Sequence, residues 1–297
     1  LAGYEVSALT VASPPSVTKH YRNDYVYNRK TDAFYKLHIE SSRQWQMKAS
    51  CSAEGASPLA ISSDHDVEQV HAMMKEYPDL GEFVWVVNDG QAHESAEEQP
   101  IIDLNTSSSE VDAHTCEVIT RDGIVKSTYC VQWLPFVCKV EAKDVTYDER
   151  CGVHGRDYKY FATVNSCYKI PQVAYTWNEA YAECQAEGAH LVVINSETER
   201  AVVQNLTKST DKVDGSLAEW IFLAGFRAEK TGDTPRVFRT IFNQTLEEAG
   251  FAEWSEHEPN NWAGSEYCGS IFPHDGKLND ADCASNFGYI CEKEVQT

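Results

Sequence analysis

Apolar and polar positions alternate with helical spacing in two short stretches of the second half of the chain and in one of the first. Trp177, Ala180, Tyr181 and Cys184 fall at i, i+3, i+4 and i+7, which is one face of a helix. Thr176-x-x-Glu179 precedes them as a capping box, and Gly188 stands where such a helix would stop. Ser196-x-x-Glu199 is a second box, followed by a helix from Ala201 to Leu206. In the first half, Val67, Val70 and Met74 give the same spacing. Continuous apolar runs predict core strands at Leu191–Ile194, Trp220–Gly225 and Phe83–Val87. Each half thus has two helices early, then strands and long loops. That order predicts an α+β fold.

The halves are related. Cys51-Ser-Ala-Glu-Gly-Ala56 matches Cys184-Gln-Ala-Glu-Gly-Ala189 at an offset of 133 residues. Tyr25 with Tyr158 and Tyr35 with Tyr168 keep the offset, and Trp85 with Trp220 keeps it within two positions. One register held over so long a stretch marks a tandem duplication. The expected domains are 1–142 and 143–297, with the charged stretch from Lys143 to Arg150 as linker.

Composition adds further constraints. With 297 residues, the chain suits two domains of about 150 each. A net charge of -21 argues against nucleic acid or an anionic membrane surface as partner, and suits a divalent cation or a neutral ligand. No apolar run approaches the roughly 18 residues of a membrane helix. Ten cysteines without zinc spacing read as five disulfides in an oxidising compartment, with the pairing open. The chain starts at Leu1 without a leader and reads as a mature secreted, extracellular form. Asn105, Asn205 and Asn243 head Asn-x-Ser/Thr triplets and are candidate glycosylation sites.

Two helices, the Trp220–Leu223 run, four ordered cysteines per half and the Glu258-Pro259-Asn260 loop resemble the C-type lectin-like domain. The resemblance spans both halves. Two such domains without a stalk resemble the insect immulectins, secreted proteins of innate immunity that recognise microbial glycans. It implies disulfides Cys51–Cys138, Cys116–Cys130, Cys184–Cys291 and Cys268–Cys283, with Cys151–Cys167 as an extra bridge of the second half.

The chemistry lies in two segments, Glu258 to Cys268 and Leu278 to Cys283. Calcium takes six to eight oxygen ligands, and Glu258, Asn260, Glu266, Asn279 and Asp280 offer three carboxylates and two amide carbonyls. Glu258 lies ten residues before Cys268 and Asn279 four before Cys283, the spacings of the family's principal Ca²⁺ site. A partly filled shell leaves room for two sugar hydroxyls, to which the same side chains accept and donate hydrogen bonds. The resemblance implies binding of mannose-type sugars on microbial or host glycans, lipopolysaccharide among them. It also implies a cis bond before Pro259. Trp262 instead stands where galactose binders place a stacking aromatic, so the sugar preference stays open. Leu278 replaces a customary Trp, which alters packing only. Asn261 and Tyr267 stand where an auxiliary calcium site would need acids. Arg227, Lys230, Arg236 and Arg239 read as a solvated basic hairpin, and His257 as a solvated loop residue.

The first half departs from this pattern. Lys126-Ser127 stand where the second half has Asn279-Asp280, and Gln99-Pro100-Ile101 lacks the ligand set, so no principal calcium site is expected there. No heptad or collagen repeat predicts oligomerisation. One rival reading is a protein-interaction module on the same fold with only structural calcium. An enzyme using Asp280 with Asp282, or Glu256 with Glu258, is the other, and no nucleophile constellation supports it.

Overall fold

A computed structural model describes residue 19 and residues 21–87, 115–154, 157–229 and 236–295. The loop at Gln99-Pro100-Ile101, the acidic stretch around it, Asn105 and Lys230 lie outside the described residues.

Capping chemistry sets the helix starts. Thr176 Oγ1 accepts from the Glu179 N–H at 3.4 Å while Glu179 Oε2 accepts from the Thr176 N–H at 2.9 Å, opening the helix Trp177–Ala186. The helix Glu197–Ser209 starts further upstream and ends further downstream than the apolar spacing marked. Its Ser196 caps Glu199 N–H at 3.2 Å, but Glu199 reaches back one residue further, to Asn195 N–H at 2.6 Å. The first half has the helices Gln44–Ala53 and Asp64–Glu76, the latter in a Ser63/Asp66 box. A short helix, Leu246–Ala249, is additional to the expected pairs.

In the first half, Ala33–Ser42 pairs with Leu134–Glu141, and that strand carries Phe83–Trp85 in parallel on its other side. Phe83–Trp85 continues the sheet through Thr115–Thr120 to Val125–Tyr129. In the second half, Lys159–Phe161, Ser166–Lys169, Cys291–Glu294 and His190–Leu191 form one sheet. Phe238–Thr240, Phe222–Ala228, Glu266–Ile271 and Leu278–Asp282 form the other, which carries the candidate site. Separate buried clusters fill each half, around Met47, Trp85 and Val118 in the first and around Trp177, Leu191 and Leu223 in the second. Among the described residues no helix is long and apolar enough to cross a membrane. The disulfides join Cys51–Cys138, Cys116–Cys130, Cys151–Cys167, Cys184–Cys291 and Cys268–Cys283.

Three expectations need correction. Trp220 precedes its strand, which begins at Phe222, and is 64% exposed. A turn closed by Ile221 N–H on Ala218 C=O turns it out of the sheet. Leu191–Ile194 is buried, but only His190–Leu191 is paired as a strand; Val192 bonds separately to Ile290 and Gly225. Part of the expected linker is ordered, with Tyr147–Asp148 pairing with Val153–His154.

Matching residues of the two halves meet in one buried charge network. Tyr25 O–H donates to Glu54 Oε2 at 2.5 Å, and Tyr158 O–H donates to Glu187 Oε2 at 2.8 Å. Lys36 pairs with Glu54 at 2.5 Å, and Lys169 with Glu187 at 2.7 Å. Arg22, 1% exposed at its side chain, bridges the halves to Glu183 at 2.5 Å and Glu187 at 2.9 Å. Lys36 also reaches Glu183 at 2.9 Å, and Asn23 N–H donates to Ala186 C=O at 2.9 Å. Burial alone would raise the Glu54 carboxyl, but His38, Arg22 and Lys36 outweigh it and hold it well below the usual carboxylate range.

A second matched pair differs in charge. Tyr35 O–H donates to buried Asp66, which Lys139 neutralises at 3.0 Å. Tyr168 O–H donates to buried Glu199, but the residue in the place of Lys139 is Glu292. Burial and the neighbouring Glu199 carboxylate push Glu292 well above the usual range.

Candidate functional site

The strand Leu278–Asp282 lies against Glu266–Ile271, with Gly269 opposite Asp280 and Ser270 opposite Asn279. The Cys268–Cys283 bridge ties the two strands together. The Ser255–Ser265 loop is anchored over them by Ser255 N–H on Leu278 C=O at 2.9 Å and Ser255 Oγ–H on Asp275 at 2.7 Å. Three of its non-glycine residues, His257, Asn261 and Ala263, take left-handed φ values of 68°, 51° and 53°, which fold the loop tightly back. The Glu258–Pro259 bond is cis.

This loop converges on Asp280, which is fully buried. Asn260 N–H donates to Asp280 Oδ1 at 3.0 Å and Asn261 N–H to Oδ2 at 2.9 Å. Glu258 accepts from the Asn260 side-chain amide at 2.8 Å, and Glu266 accepts from Trp262 N–H at 2.6 Å. Asn260 Oδ1 accepts from the same Trp262 N–H at 2.8 Å. Four of the five candidate ligands thus share one hydrogen-bonded constellation. Asn279 is the next residue on the strand, and its amide donates to Ser270 Oγ at 2.8 Å. Trp262, 75% exposed, stands at the rim of the set.

The electrostatics suit a cation. Glu258 is pushed up to about 7, first by burial and then by a hydrogen bond shared with Asp280 and by that residue's charge. Glu266 is also raised, again by burial first and by Asp280 among the charges. Crowded carboxylates resist ionising together unless positive charge joins them. The donors are carboxylate and amide oxygens, a hard set that fits a calcium-like divalent ion. Glu258, Asn260, Glu266 and Asp280 would hold it, with Asn279 beside them on the same strand.

One participant went unrecognised in the sequence. Arg236 is not on a solvated hairpin: its Nη2 donates to Asp280 Oδ2 at 2.7 Å and its Nη1 to Glu266 C=O. Arg227 is also engaged, its guanidinium 5.2 Å from the Trp177 ring centroid. A lone arginine ahead of a short strand carries no motif, so its carboxylate partner could not be read from spacing. His257 is largely exposed, as a solvated loop residue should be. Asn205 is exposed on the helix Glu197–Ser209, and Asn243 is exposed in a turn.

Residues 173–293 match the Lectin C-type domain family model. The chain is 39% identical over 130 residues to the "Hemolymph lipopolysaccharide-binding protein" of Periplaneta americana, covering 43% of this chain and 49% of the relative. It is 25% identical over 279 residues to "C-type mannose receptor 2" of Rattus norvegicus, covering 89% of this chain and 18% of that protein. Among solved structures, the mouse scavenger receptor C-type lectin carbohydrate-recognition domain aligns at 22% identity and a TM-score of 0.38, covering 48% of this chain and 97% of the domain. The match to the C-type lectin domain thus lies within the second half of the chain. The chain spans about half, or less, of the length of these two curated relatives.

Proposed function

We propose that the protein is a secreted lectin of innate immunity whose C-terminal domain, 143–297, binds mannose-type sugars of microbial surfaces through one Ca²⁺. The observation that carries this reading is the hydrogen-bonded convergence of Glu258, Asn260 and Glu266 around Asp280 on an exposed loop. Calcium would supply Lewis acidity to two vicinal sugar hydroxyls. The chain's own groups do the rest. Glu258 and Glu266 accept hydroxyl protons, and the Asn260 amide donates N–H to a hydroxyl oxygen. Trp262 offers a ring for the sugar's apolar face. The printed name of the cockroach relative supports lipopolysaccharide as one such glycan.

The segment 1–142 is read as a second domain of the same fold without this site. Matching helices, disulfides and tyrosine–carboxylate pairs in both halves support that reading. So does an alignment with the rat receptor that runs through both halves. Lys126 and Ser127 lie on the strand Val125–Tyr129, in the place of Asn279 and Asp280, and supply no carboxylate. The lectin relatives favour binding over catalysis.

The test is calorimetric titration with mannose and with galactose, each with Ca²⁺ and with a chelator, and with Asp280→Ala as control. Calcium-dependent mannose binding lost in the variant is the expected result. Galactose binding instead would make Trp262 the dominant selector. Silence with a multivalent glycan as well would sink the lectin reading.

A further inference from the structure

Long arginine side chains at a sheet edge ordinarily extend into solvent. Arg236 does not: its side chain is 11% exposed. One guanidinium nitrogen donates to Asp280 Oδ2 at 2.7 Å and another to the Glu266 carbonyl. Its central carbon lies 5.2 Å from the Phe238 ring centroid and 5.7 Å from that of Tyr267, within cation–π range of both. Two ring faces, one carbonyl and one carboxylate thus hold a full positive charge against the base of the site.

Glu258, Glu266 and Asp280 bring three carboxylates to one loop, and Asp280 is fully buried. A buried carboxylate without a compensating charge is strongly unfavourable. Backbone N–H groups of Asn260 and Asn261 supply partial charge only. Arg236 is the cationic side chain in contact with Asp280 among the described residues. One guanidinium against three carboxylates leaves two negative charges, the amount a single divalent ion cancels.

We propose that Arg236 is the built-in counter-ion of this site. It neutralises and orients Asp280 before a metal arrives, and it limits how much further positive charge the three carboxylates accept. This inference rests on the calcium reading above.

The test uses the full chain and calcium alone as the probe. The melting temperatures of wild type, Arg236→Met and Arg236→Lys are measured in chelator and in saturating CaCl₂, beside a calorimetric CaCl₂ titration. Without its counter-ion the chelated Met variant should melt about 3–6 °C lower. The calcium-loaded form should fall less, because the ion replaces part of the lost charge. The calcium-induced shift therefore grows in the Met variant and stays near wild type in the Lys variant. Equal falls in both states, with the shift unchanged, would mean that Arg236 only packs, and would overturn the proposal while leaving the calcium site standing. Wild type without calcium heat or shift would overturn both readings together. If the Met variant does not accumulate, Arg236→Gln gives the same comparison, and a wild-type shift in Gln overturns the proposal.

Discussion

Trp262 presents most of its indole to solvent while its backbone N–H serves Glu266 and Asn260. The side chain therefore contributes little to folding, and its value lies in what it touches outside. Trp262→Ala should leave stability within about 0.5 kcal/mol, as exposed substitutions do. It should weaken binding of a stacked sugar by roughly threefold to tenfold, read by calorimetry. Glu292 behaves in the opposite way, its carboxyl buried beside Glu199 and raised by that burial. Its folded pKa is raised, so its contribution is fully present below the unfolded carboxylate value and is lost as pH rises toward the folded one. Glu292→Gln removes that loss. Its melting temperature in chelator should gain on wild type between pH 5 and pH 8; a constant gap would contradict the assignment. Asp66 in the first half has the reverse sign. Burial would raise it, but bonds from Tyr35, Ser62 and Lys139 hold it below the usual range, so its stabilisation fades as pH falls.

The helix Leu246–Ala249 is one turn long, too short to persist without help from its surroundings. A Thr245/Glu248 capping box starts it, and Gly250 ends it at φ 107°. A Cβ on Gly250 would lie 2.2 Å from the Asn195 carbonyl oxygen, so both backbone conformation and space exclude a side chain there. Gly250→Ala should therefore destabilise the second half by about 2 kcal/mol or more, measured as a lower melting temperature in both chelator and calcium. Elements of this kind show how far local pattern reaches. Capping boxes and i, i+3, i+4 spacing located three helices, because these signals act within one turn, while the helix Gln44–Ala53 followed only from the repeat. Strand ends at Trp220 and Val192 escaped, since a strand continues only where a partner pairs with it.

At the scale of the whole molecule, the two halves meet through Arg22, Lys36, Glu183 and Glu187. Removing one partner of a buried network leaves charge uncompensated, which costs about 3–5 kcal/mol. Arg22→Ala should therefore split one calorimetric unfolding transition into two, or lower the melting temperature sharply. A single unchanged transition would mean that this contact does not couple the halves. Because Glu54 is held below the usual range, its share of the coupling is present above the unfolded carboxylate value and is lost as pH falls. By itself, the sequence displayed the internal repeat, the Thr176 capping box and the carboxylate–amide set of the second half. Those features depend on residue identity and short spacing, which a linear chain displays. Only the tertiary structure decided that Arg236 faces Asp280, that Glu292 is buried beside Glu199, and that Arg22 joins Glu54 and Glu187 across the halves. The partner of a charged side chain is whatever the packed chain brings within hydrogen-bond reach, and residues far apart in sequence carry no mark of that meeting.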